Sequence, residues 1–168
     1  MDIDNKMIVV PWDFTPVAEC ALKHAAKISR MTHADICLLH IVDKITTDGG
    51  VKAKQVSLNT ITTEASRVYG LTFKYHVMRG TIFKQIAEFV NDREASLVVM
   101  GTHGMQGMQK YTGSWALKVI AKSKVPFIVV QEDPADQERY HDIVFPIDFR
   151  QEEKEKLSMA IFMGKYFD

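Results

Sequence analysis

Residues 8–14 read IVVPWDF, an apolar run that ends in a proline, an aspartate and a phenylalanine. A short, continuously apolar run is typical of a strand that is buried on both faces. Thr15 and Pro16 follow directly. A hydroxyl residue before a proline predicts a helix start, with Thr15 as the N-cap and Pro16 at the first helical position. The stretch therefore predicts a strand over 7–10 followed by a helix.

The same alternation of strand and helix continues along the chain. Further apolar runs predict strands over 36–42, 71–77, 96–100 and 127–130. Helical spacing predicts helices over 56–69, after Thr81 and after Ser114, and the polar segment 43–51 is typical of a loop. Continuously apolar strands that alternate with helices predict an α/β fold, in which helices cover both faces of a parallel sheet.

The opening motif occurs a second time near the end of the chain, where residues 143–149 read IVFPIDF. A repeat of so long a period indicates a duplicated domain rather than a solenoid. We therefore expect a fragment of a longer tandem protein. Its predicted parts are a complete domain over 1–131, a polar linker over 132–141, and the first strand and helix of a truncated second copy over 142–168.

The composition argues against several classes of protein. The formal net charge is zero, so nothing electrostatic favours nucleic acid or an anionic membrane as a partner. No signal peptide is visible, and no apolar run approaches the length of a membrane span. Cys20 and Cys37 have neither C-x-x-C nor metal-ligand spacing, which favours buried free thiols. We expect a cytoplasmic protein.

Glycines and a serine cluster between the predicted strand 96–100 and the next helix, at Gly101, Gly104, Gly113 and Ser114. Glycine lets a backbone approach a ligand closely, and the free N–H groups of a helix start favour an anion. Glycine-rich loops also occur simply to turn the chain. The residues alone leave both interpretations open.

Asp13 follows the first predicted strand, at the end of a parallel sheet where ligands bind. Its carboxylate is suited to accept hydrogen bonds from a ribose or a base. An Asx-type turn that leads into the helix is the alternative. The sequence does not decide between the two.

Taken together, several segments resemble the universal stress protein family. They follow one another at typical spacings between residues 7 and 130, as 10–14, 38–43, 98–104, 113–114 and 125–130. The resemblance implies a five-stranded parallel sheet in the order 3-2-1-4-5, with helices on both faces, a HUP/Rossmann-like architecture. It also implies a role in stress response. One branch of the family binds ATP through a Gly-x2-Gly-x9-Gly-(Ser/Thr) motif, and the other lacks the motif and does not bind ATP.

The resemblance further implies ten nucleotide-binding positions. Those around the adenosine are Pro11, Trp12, Asp13 and Ile41. Met100 and Gly101 are expected near the ribose and the α-phosphate. The phosphates are expected to contact Gly104, Gly113, Ser114 and the backbone of Trp115. The ligand implied is ATP or a related adenine nucleotide, with Mg²⁺ present only with the nucleotide.

One departure from the ATP-binding pattern matters. Eight residues, 105–112, separate Gly104 from Gly113, where the pattern has nine. The loop either absorbs the deletion or displaces the amides of Gly113 and Ser114 by about 3 Å. Such a displacement would break hydrogen bonds that need an N···O distance near about 2.9 Å. Both outcomes stay open at this stage.

We therefore expect a stress-response regulatory module that binds an adenine nucleotide at the loops after strands 1 and 4. The alternative is a non-nucleotide-binding dimerisation or scaffold module of the same family, which acts through the edge strand 127–130. We expect a homodimer or an intramolecular pairing of tandem domains. No catalytic triad, P-loop lysine or metal-ligand spacing is visible, so we expect no enzyme activity beyond slow ATP hydrolysis.

Overall fold

The computed structural model describes residues 7–101, 119–120 and 122–134, together with residues 161 and 164. The chain divides into two compact units, one of residues 3–133 and one of residues 134–168 with 1–2. The sheet belongs to the first unit. The predicted second copy over 142–168 and most of the predicted linker over 132–141 lie outside the described residues, so these boundaries stay predictions.

Five parallel strands form one sheet in the order β3-β2-β1-β4-β5, which confirms the predicted α/β fold. The strands are β1 (Met7–Pro11), β2 (Asp35–Val42), β3 (Phe73–Arg79), β4 (Leu97–Gly101) and β5 (Phe127–Val130). The helices are α1 (Pro16–Thr32), α2 (Asp48–Tyr69) and α3 (Ile82–Asp92). None of the helices within the described residues combines the length and the apolar character that crossing a membrane requires.

Helices cover both faces of the sheet. On one face, Val9, Leu39 and Val98 form a buried cluster with side chains of α3 and with Val119. On the other face, α1 contacts β1, β4 and β5, while α2 contacts β2 and β3. Side chains alternate between the faces of a strand, so β1 and β4, which are covered on both faces, are apolar at every position.

The start of α1 is the one that the sequence predicts. The Thr15 hydroxyl accepts a hydrogen bond from the Ala18 N–H at 3.3 Å, and Pro16 occupies the first turn. The helix ends at His33, whose φ of 55° is left-handed. The N-cap and the proline together fix where the chain turns from β1 into α1, next to Asp13.

The start of α2 was predicted wrongly. The helix begins at Asp48, within the segment 43–51 that we expected to be a loop, rather than at Val56. The Thr47 hydroxyl caps the helix by accepting a hydrogen bond from the Gly50 N–H at 3.2 Å. Asp48 places a carboxylate in the first turn, where the helix dipole favours it, and pairs with Arg79. These interactions offset the low helix propensity of Gly49 and Gly50.

Both cysteines are buried and free, as predicted. Cys20 lies in α1 and Cys37 in β2, each with 4% of its surface exposed. Burial raises the pKa of the Cys37 thiol to about 11, so that thiol stays protonated and unreactive at neutral pH.

Candidate functional site

The candidate site lies where the order of the strands reverses. From β1 the chain builds the sheet toward β2 and β3, and it then returns to place β4 and β5 on the opposite side. Helices on either side of such a switch point leave a crevice at the carboxyl ends of the strands. β1 ends at Pro11 and β4 ends at Gly101, and the register pairs Val9 with Val98. The predicted residues of the two loops therefore start from the same edge.

Asp13 forms the Asx-type turn that the sequence left as an alternative. Its Oδ1 accepts hydrogen bonds from the Thr15 N–H at 3.1 Å and from the Thr15 hydroxyl at 2.5 Å. Within the described part of the chain, Oδ2 makes no hydrogen bond, and the residue is half-buried. The turn fixes the carboxylate and leaves one of its oxygens available to a ligand.

The backbone of Trp12 is hydrogen-bonded to residues of β2. Its N–H donates to the Leu39 carbonyl at 2.8 Å, and its carbonyl accepts a hydrogen bond from His40 Nδ1 at 2.7 Å. Its side chain is 5% exposed. Among the residues that the structure describes, the indole Nε1 has no hydrogen-bond partner. Because the peptide N–H is already bonded, the unpaired polar group of Trp12 is its side-chain donor.

His40 is buried, and its Nδ1 is hydrogen-bonded to the backbone of Trp12. Desolvation lowers the pKa of its imidazole, and the hydrogen bond to the Trp12 carbonyl partly opposes this shift. Because the carbonyl can only accept, the neutral ring carries its proton on Nδ1. The hydrogen bond from His40 therefore holds the loop after β1 in place, and the neutral imidazole adds no charge to the site.

Phe14 is a feature of the site that the sequence reasoning missed. Its φ is 65°, a left-handed conformation that costs energy for a residue other than glycine. The ring packs edge-on against His40, with centroids 4.9 Å apart, and against Trp12 at 6.3 Å. Lys54 Nζ lies over the same ring, 4.4 Å from its centroid. No sequence signal reveals a positive φ at a phenylalanine, because distant residues hold the conformation.

The apolar part of the site comes from β2 and β4. Ile41 and Met100 are half-buried, and each packs against the core cluster that includes Val9, Leu39 and Val98. Their remaining exposed surface is apolar. Both residues therefore lie near the strand ends, where the resemblance places the adenosine and the ribose.

Gly101 has a packing role that is independent of any ligand. A Cβ at this position would lie 2.2 Å from Val17 Cγ1 and 2.9 Å from the Val17 carbonyl oxygen. A distance of 2.9 Å to a backbone atom cannot be relieved by a side-chain rotation. The glycine is therefore required for α1 to pack on β4.

The predicted phosphate-binding residues Gly104, Gly113, Ser114 and Trp115 lie outside the described residues. Whether the short spacing between the two glycines still suits a triphosphate stays a prediction. Among the described residues, no three side chains of His, Cys, Asp or Glu form a group that could hold a metal ion.

A separate cavity of about 320 Å³ lies between α2 and β3, and its lining includes Asn59, Thr62, Ser66 and Tyr75. None of the ten predicted nucleotide-binding residues lines it. The cavity is therefore distinct from the switch-point site.

Comparison with known proteins identifies the class of protein that has this fold. A model of the universal stress protein family matches residues 5–131. The chain belongs to that family. Universal stress protein MJ0531 of Methanocaldococcus jannaschii is 28% identical over 142 residues, which cover 76% of this chain and 82% of that protein.

Solved structures share the fold. A universal stress protein in complex with cAMP matches with a TM-score of 0.61 and 19% identity, covering 76% of this chain and 98% of the other. The universal stress protein from Archaeoglobus fulgidus in complex with dAMP matches with a TM-score of 0.61 and 21% identity, covering 77% and 99%. At these identities the likeness shows the fold alone.

Proposed function

We propose that this chain is a stress-response regulatory module that binds ATP or a related adenine nucleotide at the loops after β1 and β4. The observation that carries the proposal is that Asp13, Met100 and Gly101 lie at the carboxyl edge of neighbouring strands at the switch point. Parallel sheets bind ligands at this place. Two structures of the same fold that hold cAMP and dAMP support an adenine nucleotide as the ligand.

The roles follow from the chemistry of each group. The free oxygen of Asp13 accepts hydrogen bonds from the ribose hydroxyls, while Ile41 and Met100 provide apolar contact for the base. The peptide groups of Gly104, Gly113, Ser114 and Trp115, at the helix start that the sequence predicts after Ser114, are proposed to hold the phosphates. Mg²⁺ binds only together with the nucleotide. No positioned general base is assigned, so the site binds and signals, with at most slow hydrolysis.

Titration calorimetry of the purified chain with ATP and ADP, with and without Mg²⁺, tests this function, preceded by identification of any co-purifying nucleotide by mass spectrometry. We expect saturable binding that Gly113→Val abolishes without unfolding the protein. Gly49→Val is the matched control, because a Cβ at Gly49 meets nothing within 4 Å. Undetectable binding at millimolar ATP would contradict the proposal.

A scaffold that does not bind nucleotide is the second candidate. It is favoured by β5, which is an edge strand of the sheet and carries Val129 with 40% of its surface exposed. An apolar edge strand invites pairing with another chain or domain. Self-association of the chain together with undetectable nucleotide binding would favour this candidate.

The domain organisation is also part of the proposal. We infer a tandem organisation, in which residues 142–168 begin a second copy. The division of the chain into units between residues 133 and 134 supports it, since that point falls in the predicted linker 132–141. The two free, buried thiols suit a reducing cytoplasm.

A further inference from the structure

The indole N–H of Trp12 is a buried hydrogen-bond donor at the switch point. The side chain is 5% exposed, and Nε1 has no acceptor among residues 7–101, 119–120 and 122–134. Buried polar side chains in folded proteins nearly always have a partner, and each exception needs a physical reason. A phenylalanine would fill the same apolar space without leaving an N–H unpaired.

The position of Trp12 limits what that reason can be. It is the first residue after β1, next to Asp13, and its own peptide N–H and carbonyl are bonded to Leu39 and His40. The backbone is therefore fixed by β2, and the ring is held edge-on by Phe14. What remains is one side-chain donor in the residue that precedes Asp13, whose carboxylate we assign to the ribose.

The surroundings of the indole favour a neutral aromatic acceptor over an anion. Among the described residues, the ring that packs on the indole is that of Phe14, which in turn packs on His40, whose pKa burial lowers. A phosphate in such a place would need desolvated positive charge around it, and the ammonium of Lys54, which lies over the Phe14 ring, is exposed and screened by solvent. The ring nitrogens of a purine are neutral acceptors on a flat aromatic frame, and such a frame packs well against aromatic side chains.

We propose that Trp12 Nε1–H is a specificity-determining donor, which takes a ring nitrogen of the bound adenine as its acceptor. This inference rests on the proposed nucleotide-binding function. Access to the donor requires the covering side chains to move. Phe14 is half-buried and held at positive φ, and Lys54, which lies over its ring, is exposed. Displacement of the Phe14 ring, which packs on the indole, would expose more of the indole.

Nuclear magnetic resonance of the wild-type chain provides a direct test. The sequence has two tryptophans, so two indole N–H signals are expected, and the one that Trp12→Phe removes belongs to Trp12. Addition of ATP is expected to move this signal downfield and to slow its exchange with solvent. An indole proton that already has the downfield chemical shift of a hydrogen-bonded N–H without nucleotide would overturn the proposal, because the donor would then have a protein partner. Slow exchange alone would not, because the indole is buried.

Binding to altered bases identifies the acceptor. We compare ATP with its 1-deaza, 3-deaza and 7-deaza analogues, each of which replaces one ring nitrogen by CH. One analogue is expected to bind the wild-type chain about tenfold more weakly than ATP, the loss of one hydrogen bond. The Trp12→Phe variant is expected to bind ATP more weakly than the wild type by the same factor. It is expected to bind that analogue as strongly as it binds ATP. The four affinities form a thermodynamic cycle, which separates the contribution of the hydrogen bond to binding from the effect of the smaller phenylalanine ring.

The two proposals fail in different ways. If the wild-type chain binds ATP but none of the three analogues more weakly, Trp12 is not the donor, and the nucleotide site stands. The same conclusion follows if a folded Trp12→Phe variant binds ATP with wild-type affinity. If the wild-type chain binds no nucleotide, the proposed function fails and this inference fails with it. The analogue series uses the wild-type chain, so it is decisive even if Trp12→Phe does not fold.

Discussion

Gly101 is a residue at which a functional motif and a packing requirement coincide. The resemblance places it near the ribose and α-phosphate, yet its lack of a side chain is already required by the close approach of Val17. A glycine at the end of β4 is therefore weak support for a ligand on its own. Asp13 is different, because its turn uses only one carboxylate oxygen.

The packing role of Gly101 predicts a large effect from a small substitution. Gly101→Ala should lower the free energy of unfolding by about 1–3 kcal/mol, because the new Cβ would overlap Val17 and push α1 from β4. Urea denaturation measures the change. Gly49→Ala in the first turn of α2 is the matched control, and it should raise stability by up to about 1 kcal/mol. Equal effects at the two positions would contradict the packing argument.

Three histidines with lowered pKa values, two buried and one half-buried, predict that acid destabilises the protein. Desolvation lowers the pKa of His24, His40 and His76 below the ordinary value of 6.5. The unfolded chain therefore binds protons that the folded chain does not. The contribution of these groups is complete above pH 6.5 and is lost as pH falls from there through the folded-state pKa values. We expect the melting temperature to decrease over that range in a pH series.

His40 is the residue with which to test this linkage. Lys54 of α2 lowers the pKa of His40 further, while Asp13 and the Trp12 carbonyl raise it, and desolvation outweighs both. His40→Gln keeps a side-chain donor for the Trp12 carbonyl but cannot titrate. Its stability should fall less steeply between pH 7 and pH 5 than that of the wild type. If stability falls equally steeply with pH in the variant and in the wild type, groups other than His40 cause the loss of stability in acid.

At the scale of elements, the strands and α1 could be predicted from the sequence with small errors in their ends. Continuous apolar runs mark buried strands, and Thr15 with Pro16 marks the helix start through local chemistry. The start of α2 could not be predicted in the same way. Its first turn contains two adjacent glycines, whose propensity favours a loop, while the pairing of Asp48 with Arg79 comes from a distant strand. Long-range contacts of this kind leave no local pattern.

The Thr47 cap should decide how far α2 extends toward its N-terminus. Thr47→Ala removes the hydroxyl that binds the Gly50 N–H and should cost about 1 kcal/mol. The first turn should fray, seen as faster hydrogen exchange of the amides of residues 50–54. Thr60→Ala is the control in the same helix, since the Thr60 hydroxyl only donates to the Val56 carbonyl one turn back. It should leave the exchange unchanged, and similar fraying in both variants would exclude the cap as the cause.

At the scale of the whole molecule, the sequence pattern predicts a parallel sheet, while the order of the strands came from the family resemblance. That order decides the site, because it places the end of β1 beside the end of β4. Of the candidate residues, Asp13 could be located from its place after a buried strand. The unpaired indole of Trp12 and the positive φ of Phe14 could not, since both depend on neighbours from β2 and α2. Folding, not local sequence, brings these groups together.

The two edges of the sheet differ in how they resist pairing. β3 carries Lys74 and Arg79, and charges on an edge strand oppose association with another strand. β5 reads FIVV and has no charge. Within the described residues, no strand pairs with its outer edge. Self-association of this chain should therefore use β5 rather than β3.

Val129→Lys tests this expectation, because Val129 is the most exposed residue among the large apolar side chains of β5. The wild-type chain should sediment as a dimer at micromolar concentration, and the variant as a monomer, since the new ammonium group would be buried at the edge-to-edge contact. Val68→Lys is the matched control, an exposed valine of α2 with 58% of its surface accessible. It should leave the dimer intact. A dimer that survives Val129→Lys but is lost in Val68→Lys would place the contact on α2, and the uncharged edge would then need another explanation.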